Sequence, residues 1–344
     1  MPLQALERLP QEPLLDRAIR DFPECAAQVE EGKRLQGHVL LQHDLAGIQQ
    51  ARARSKRVKR ALLALGGRPA WTRVEKFEFK AHRWTEVAPM LQKRMRHGSS
   101  SLGGLIYVVG GKDDNGRALH SLERYDPRQD KWEELQPMKI ARTGLGVGAL
   151  EGLLYAVGGR AESGYRLRST ECYNAQTRQW TDCQPMNEAR GAVRVAALNQ
   201  CIYAVGGRSE TDAALSSVEV FDPIANTWSY VKSMHTARVG AGVEVLDGRL
   251  YAVGGKDEQG NKLKTVERYD PKTNDWQLVA NMGTKRWGAG VAVMEKRLWV
   301  IGGMNGAERG ALPTLEVYDP ALDKWEEISP GPTLARGSCT FAAA

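Results

Sequence analysis

No stretch of this sequence runs apolar for the roughly 18 residues that a membrane-crossing helix needs, so nothing in it is expected to span a bilayer. The N-terminus (MPLQALERLPQEPLLD) lacks an apolar segment behind a positive start, which argues against a secretory signal. Cysteine is scarce. The five residues, Cys25, Cys172, Cys183, Cys201 and Cys339, are odd in number and scattered, with no Cys-x-x-Cys and no neighbouring His at zinc-ligand spacing. A disulfide framework and a zinc site are therefore not expected, and free thiols in a reducing, cytoplasmic setting are, with cytoskeleton or nucleus as alternatives. Acidic groups are missing from one short segment, residues 51–60 (ARARSKRVKR), which carries six basic groups. Residues 1–50 hold five basic and eight acidic groups, so of the net +7 only about +4 is spread over the remaining 284 residues. That is no groove-lining field, and nucleic acid is not expected as a partner. The basic run reads either as a nuclear-localisation patch or as a solvated linker.

What the sequence has instead is repetition. Gly-Gly pairs stand at Gly66-Gly67, Gly110-Gly111, Gly158-Gly159, Gly206-Gly207, Gly254-Gly255 and Gly302-Gly303, spaced 44, 48, 48, 48 and 48 residues apart. Tryptophans follow at Trp84, Trp132, Trp180, Trp228, Trp276 and Trp325, and one glutamate lies between each pair of landmarks: Glu75, Glu123, Glu171, Glu219, Glu267 and Glu316. A period near 48 residues, kept by independent landmarks, indicates a propeller or solenoid array. Within a copy the apolar pattern has period two and is cut by turns. GAGVEVL and DGRLYAVGG meet at Asp247-Gly248, a strong hairpin signal, and TVERYDPKTNDWQLV reads as two further strands around Asp270-Pro271. Four antiparallel strands per unit make one propeller blade. Residue 61 opens a blade with no first strand ahead of it, and residues 337–343 (GSCTFAA) match the start of one. The C-terminal segment 337–343 is thus expected to complete blade 1 and remove a free sheet edge. The expected fold is all-β, a six-bladed propeller over residues 61–344, preceded by a basic linker (51–60) and a short helical segment (1–50).

YVVGG…SLERYDPRQDKWEEL and YAVGG…TVERYDPKTNDWQLV resemble the kelch repeat, and the resemblance covers about 280 of the 344 residues. Repeat one departs most, with Phe77-Glu78-Phe79 in place of Tyr-Asp-Pro. LLDRAIRDFPECAAQVEEGKRLQGHVLLQ is similar to the tail of a BACK domain in the kelch-like (BTB–BACK–kelch) proteins. That resemblance implies a protein-binding module, a substrate-recognition adaptor of a cullin-RING ubiquitin ligase. The sequence has no room for a BTB domain, so direct binding to a cullin scaffold is not expected of it. The alternative is an actin-binding or cytoskeletal kelch scaffold without a ligase role.

Two further positions repeat. Arg94, Arg142, Arg190, Arg238, Arg286 and Arg336 each fall four residues after a Met, or after Pro332 in the last copy; the first five lie 16 before the next Gly-Gly. Ser121, Ser169, Ser217, Thr265 and Thr314 each lie two residues before the repeat glutamate. The resemblance to kelch-like proteins implies that such arginines and hydroxyls, at one mouth of the central channel, hold acidic peptide motifs of a protein substrate. The same residues can equally satisfy loop carbonyls, pair with a blade acid or cap a strand turn, and both readings stay open at this point. The loops after Gly-Gly differ between copies and hold Tyr165; Trp287 follows Arg286 where other copies carry small or mixed residues. These aromatics are candidate partner contacts, with extra packing as the other reading of Trp287. No catalytic constellation is legible: the six histidines occupy unrelated repeat positions, and the acids are mostly repeat-wide. No enzyme activity, metal or cofactor is expected.

Overall fold

The computed structural model describes residues 62–67, 71–78, 83–306, 312–328 and 340–343, and within these the chain forms 24 strands in six four-stranded antiparallel sheets. The expected helical segment, the basic linker and Arg336 lie outside the described residues. Blade 2 comprises β4 (Gly98–Leu102), β5 (Leu105–Val109), β6 (Leu122–Asp126) and β7 (Lys131–Leu135). Blade 3 follows as β8 (Gly146–Leu150), β9 (Leu153–Val157), β10 (Thr170–Asn174) and β11 (Gln179–Cys183), and blade 4 as β12 (Arg194–Leu198), β13 (Cys201–Val205), β14 (Val218–Asp222) and β15 (Thr227–Val231). Blade 5 holds β16 (Gly242–Leu246), β17 (Arg249–Val253), β18 (Val266–Asp270) and β19 (Asp275–Val279). Blade 6 holds β20 (Gly290–Met294), β21 (Arg297–Ile301), β22 (Leu315–Asp319) and β23 (Lys324–Ile328).

Blade 1 takes β1 (Leu62–Gly67), β2 (Trp71–Glu78) and β3 (Arg83–Val87) from the start of the repeats, and its innermost strand, β24 (Thr340–Ala343), from the end of the chain. β24 pairs antiparallel with β1, from Leu62 opposite Ala343 to Leu65 opposite Thr340. The innermost strands then contact one another in a closed circle, β4–β8–β12–β16–β20–β24 and back to β4. Strands near the axis have little room. A Cβ on Gly146 would sit 2.4 Å from Val195 Cγ2 of the next blade, a distance no real side chain tolerates. The Asp247-Gly248 hairpin is built with positive φ at both residues (49° and 71°), the type I′ turn its sequence suggests.

Apolar side chains on the two faces of each sheet fill the seams between blades; Tyr203, Leu250, Ala252 and Trp276 of blades 4 and 5 share one such cluster. The tryptophan adds a polar staple. Its indole N–H reaches back to the preceding blade, Trp276 to the Lys232 carbonyl (2.8 Å), Trp228 to Gln184 (2.9 Å) and Trp180 to Gln136 (2.7 Å). A buried aromatic with its N–H satisfied binds two blades through both area and direction.

Candidate functional site

The five described repeat arginines belong to the framework. Arg94, Arg142, Arg190, Arg238 and Arg286 are 0–1% exposed, which corrects the expectation that they face a partner at the mouth. Arg238 shows the arrangement: its guanidinium donates to both the carbonyl and the hydroxyl of Thr265 (2.9 Å each), to the Gly254 carbonyl (2.8 Å) and to the Glu267 carboxylate (2.9 Å). Glu267 in turn accepts the backbone N–H groups of His235 and Thr236 (2.7 and 3.1 Å) in the segment that enters blade 5. Burial alone would push the Glu267 carboxyl up, but Arg238 and the bonds from His235 hold it below its ordinary value. Burial pulls Arg238 down, opposed by Glu267.

The same clamp recurs with Glu123, Glu171, Glu219 and Glu316. Ser121, Ser169, Ser217 and Thr314 accept from their arginines at 2.7–3.0 Å, so the repeated hydroxyls are likewise committed to the clamp and not to a partner. The physical reason is depth. Each arginine closes the crossover between blades beneath the mouth, where a planar fork can satisfy two carbonyls and a carboxylate at once.

The mouth itself is lined by other cations. The residue directly after each Gly-Gly is Lys112, Arg160, Arg208 and Lys256 in blades 2 to 5 and Met304 in blade 6; Arg68 of blade 1 lies outside the described residues. Backbone pairing holds this position at the rim: Lys112 exchanges hydrogen bonds with Met95, Arg160 with Thr143, Arg208 with Gly191 and Lys256 with Val239, at 2.7–3.0 Å. The backbone is fixed while the side chains project into a cavity of about 520 Å³ at the end of the central channel. Arg96, Arg166 and Arg194 add to the wall, so among the described residues seven cations face two carboxylates, Glu162 and Asp212, for a net +5. Asp212 is shared by Arg166 and Arg208.

These cations feel one another. Burial lowers the Arg96 guanidinium, and Arg160 adds to the effect; burial, Lys262, Arg208 and Arg96 together lower the Lys256 ammonium. Like charges gathered with so few counter-charges cost the fold energy and mark a place where an anion is wanted. Arg194 and His97 line both the mouth and the channel beneath it. Burial, with Arg94 and Arg194 beside it, pushes His97 down to about 3, so it is neutral at physiological pH. Deeper in the channel, burial pushes the Glu244 carboxyl up to about 7, the Val245 N–H at 2.9 Å pulling the other way.

The two sequence-flagged aromatics divide. Trp287 is half-buried and lines the cavity, with Lys256 Nζ 4.0 Å from its ring centroid, and it packs where a Cβ on Gly240 would otherwise stand. The packing reading of Trp287 is met by this contact, and its place in the cavity wall leaves partner contact as a proposal. Tyr165 is 72% exposed on the loop between Gly164 and Arg166, at the outer rim and not in the cavity wall. Sequence reasoning passed over the ring of cations, although a signal was there: a Lys or Arg follows every Gly-Gly but the last. Among the described residues no group of three or more His, Cys, Asp or Glu is placed to hold a metal ion.

Comparison with known proteins agrees with this architecture. The family model described as the KLHDC2/KLHL20/DRC7 Kelch-repeats domain matches residues 54–243 and 192–344. The search of curated proteins returned no match. Among solved structures, one titled "Structure of YjhT" is similar with a TM-score of 0.69 over 78% of this chain and 94% of its own; at 15% identity the likeness is one of fold alone. With six four-stranded blades closed into a ring and the family model matching most of its length, the chain belongs to the kelch-repeat β-propeller family, a fold that suggests a protein–protein interaction module.

Proposed function

We propose that this propeller captures acidic segments of partner proteins in the basic mouth, without catalysis, as the substrate-recognition part of a cytoplasmic ubiquitin-ligase assembly. The single observation that carries the acidic-partner reading is the convergence of Lys112, Arg160, Arg208 and Lys256 on one cavity of net +5. A pocket of one sign with low-dielectric walls focuses its field on an incoming anion and raises the rate of encounter. Trp287 beside Lys256 supplies an apolar wall that can receive a side chain next to the acid. The ligase setting is supported by the resemblance of residues 1–50 to the end of a BACK domain, and it is independent of the mouth reading.

The test is peptide selection. Wild type and the triple charge reversal R160E/R208E/K256E are panned against the same random peptide library. The wild type should select acidic sequences and the reversal should lose them, with melting temperatures alike because these side chains are at the rim. Selection of acidic peptides that bind both proteins equally would overturn the assignment to the mouth. Co-sedimentation with actin filaments that survives the triple reversal would favour a cytoskeletal scaffold.

A further inference from the structure

Resting on that reading, we infer that the mouth is built for a phosphorylated side chain, a phosphomonoester presented by the partner's segment, with Arg96 and Arg194 as its clamp. The first observation is backbone strain. The residue two places after the clamp arginine has positive φ in all five described crossovers: Arg96 (53°), Gly144 (64°), Ala192 (51°), Gly240 (61°) and Gly288 (66°). Three blades use glycine, which adopts this conformation freely, whereas blade 2 places a long cation there. Strain of this kind persists where it serves a site. Arg96 lines the cavity it is strained toward.

The second observation is unmet polar capacity. Among the described residues no carboxylate pairs with the side chains of Arg96, Arg194 or Lys256, all of which line the mouth. His97, 1% exposed, has neither ring nitrogen in a hydrogen bond of normal geometry, only the Leu65 carbonyl lying near enough to act on its titration, and the buried Thr143 hydroxyl has no partner. Both line the same cavity. Buried polar groups are normally satisfied, so this cluster is incomplete without an occupant.

The third observation is charge density. A volume of about 520 Å³ is the size that encloses one drug-sized group, and it carries +5. A carboxylate brings one charge on two oxygens, whereas a phosphomonoester brings about −1.5 to −2 on three acceptor oxygens. Guanidinium forks match that geometry, and neutral His97 and Thr143 can each donate one hydrogen bond to it.

The experiment measures fluorescence anisotropy at one ionic strength with three labelled peptides. They are identical but for a central serine, glutamate or phosphoserine between two glutamates. Wild type should bind the phosphoserine peptide about tenfold tighter than the glutamate peptide, the ratio one extra charge-assisted hydrogen bond supplies. Arg96→Gly installs the residue other blades carry, so its melting temperature should not fall, yet the phosphoserine advantage should drop below about threefold. Arg194→Gln should do the same. Equal binding of glutamate and phosphoserine peptides would overturn the phosphate inference and leave the acidic-partner reading standing. Three peptides binding alike would likewise overturn the phosphate inference alone, and no binding by any of the three would overturn both. Displacement of the phosphopeptide by inorganic phosphate at the peptide's own Kd would place a small phosphate, not a protein side chain, in the mouth and overturn the inference.

Discussion

Arg238→Ala removes a guanidinium that holds five hydrogen bonds: two to Glu267, two to Thr265 and one to Gly254. Glu267 is 0% exposed and would keep only its bonds from the crossover segment, the His235 and Thr236 N–H groups and the His235 ring. The Gly254 carbonyl would lose its guanidinium donor, whereas the Thr265 carbonyl would keep the Gly254 N–H at 3.1 Å. Breaking a buried pair from one side costs about 3–5 kcal/mol, because a desolvated charge is left unopposed. For a domain of about 280 residues the unfolding entropy is roughly 0.6 kcal/mol per kelvin, so the melting temperature should fall by about 5–8 °C. Calorimetry of the purified protein reads this directly. The double variant Arg238→Met with Glu267→Leu removes both charges but orphans the His235 and Thr236 N–H groups that Glu267 satisfies, so it should recover only part of the loss. Loss of acidic-peptide binding with a melting temperature within about 1 °C of wild type would refute the framework assignment and return this arginine to the ligand.

Other consequences follow from the same geometry. The Glu244 carboxyl, pushed up to about 7, is protonated more readily in the folded state than in the unfolded chain, so between pH 4.5 and 7 its contribution to stability falls as pH rises. Glu244→Gln should therefore raise the melting temperature at pH 8, by an amount equivalent to about 1–3 kcal/mol, and change little at pH 4; a gain at pH 4 alone would contradict it. Gly146→Ala drives a Cβ into Val195 Cγ2 at 2.4 Å and should cost about 1–3 kcal/mol by denaturant titration, with Val195→Ala restoring part of it; additive losses would show the two blades are not in contact there. A chain ending at residue 339 lacks β24, leaves β1 as an open edge, and should lose cooperative unfolding; an unchanged transition would contradict ring closure by the C-terminal strand.

The legible and illegible parts of this protein differ for a physical reason. Strand order, blade number and the pairing of the last strand with the first could be read because they depend on features with fixed period: Gly-Gly, Glu, Trp and the Asp-Gly turn. The arginine clamp shared that period and was visible as a position, but not as a role. Burial depends on whether Glu267 and the Thr265 hydroxyl converge in space, and sequence separation of 27–29 residues conceals it. Repetition itself was the hint, since a six-fold position more readily serves six identical seams than one ligand. The cations of the mouth were obscured for the opposite reason. Lys112, Arg160, Arg208 and Lys256 begin loops that otherwise vary, so they read as loop polarity until the ring closes around them. Arg96 and Arg194 carried no repeat signal at all, and only the backbone angle and the shared cavity single them out.

Hydrogen–deuterium exchange, with and without a selected acidic peptide, tests the central claim most directly. Protection on binding is predicted in the segments around Arg96, Lys112, Arg160, Arg208 and Lys256 that line the mouth, with no change in the outer strands β7, β11, β15 and β19. Protection confined to those outer strands, with the mouth segments exchanging as in the free protein, would contradict it.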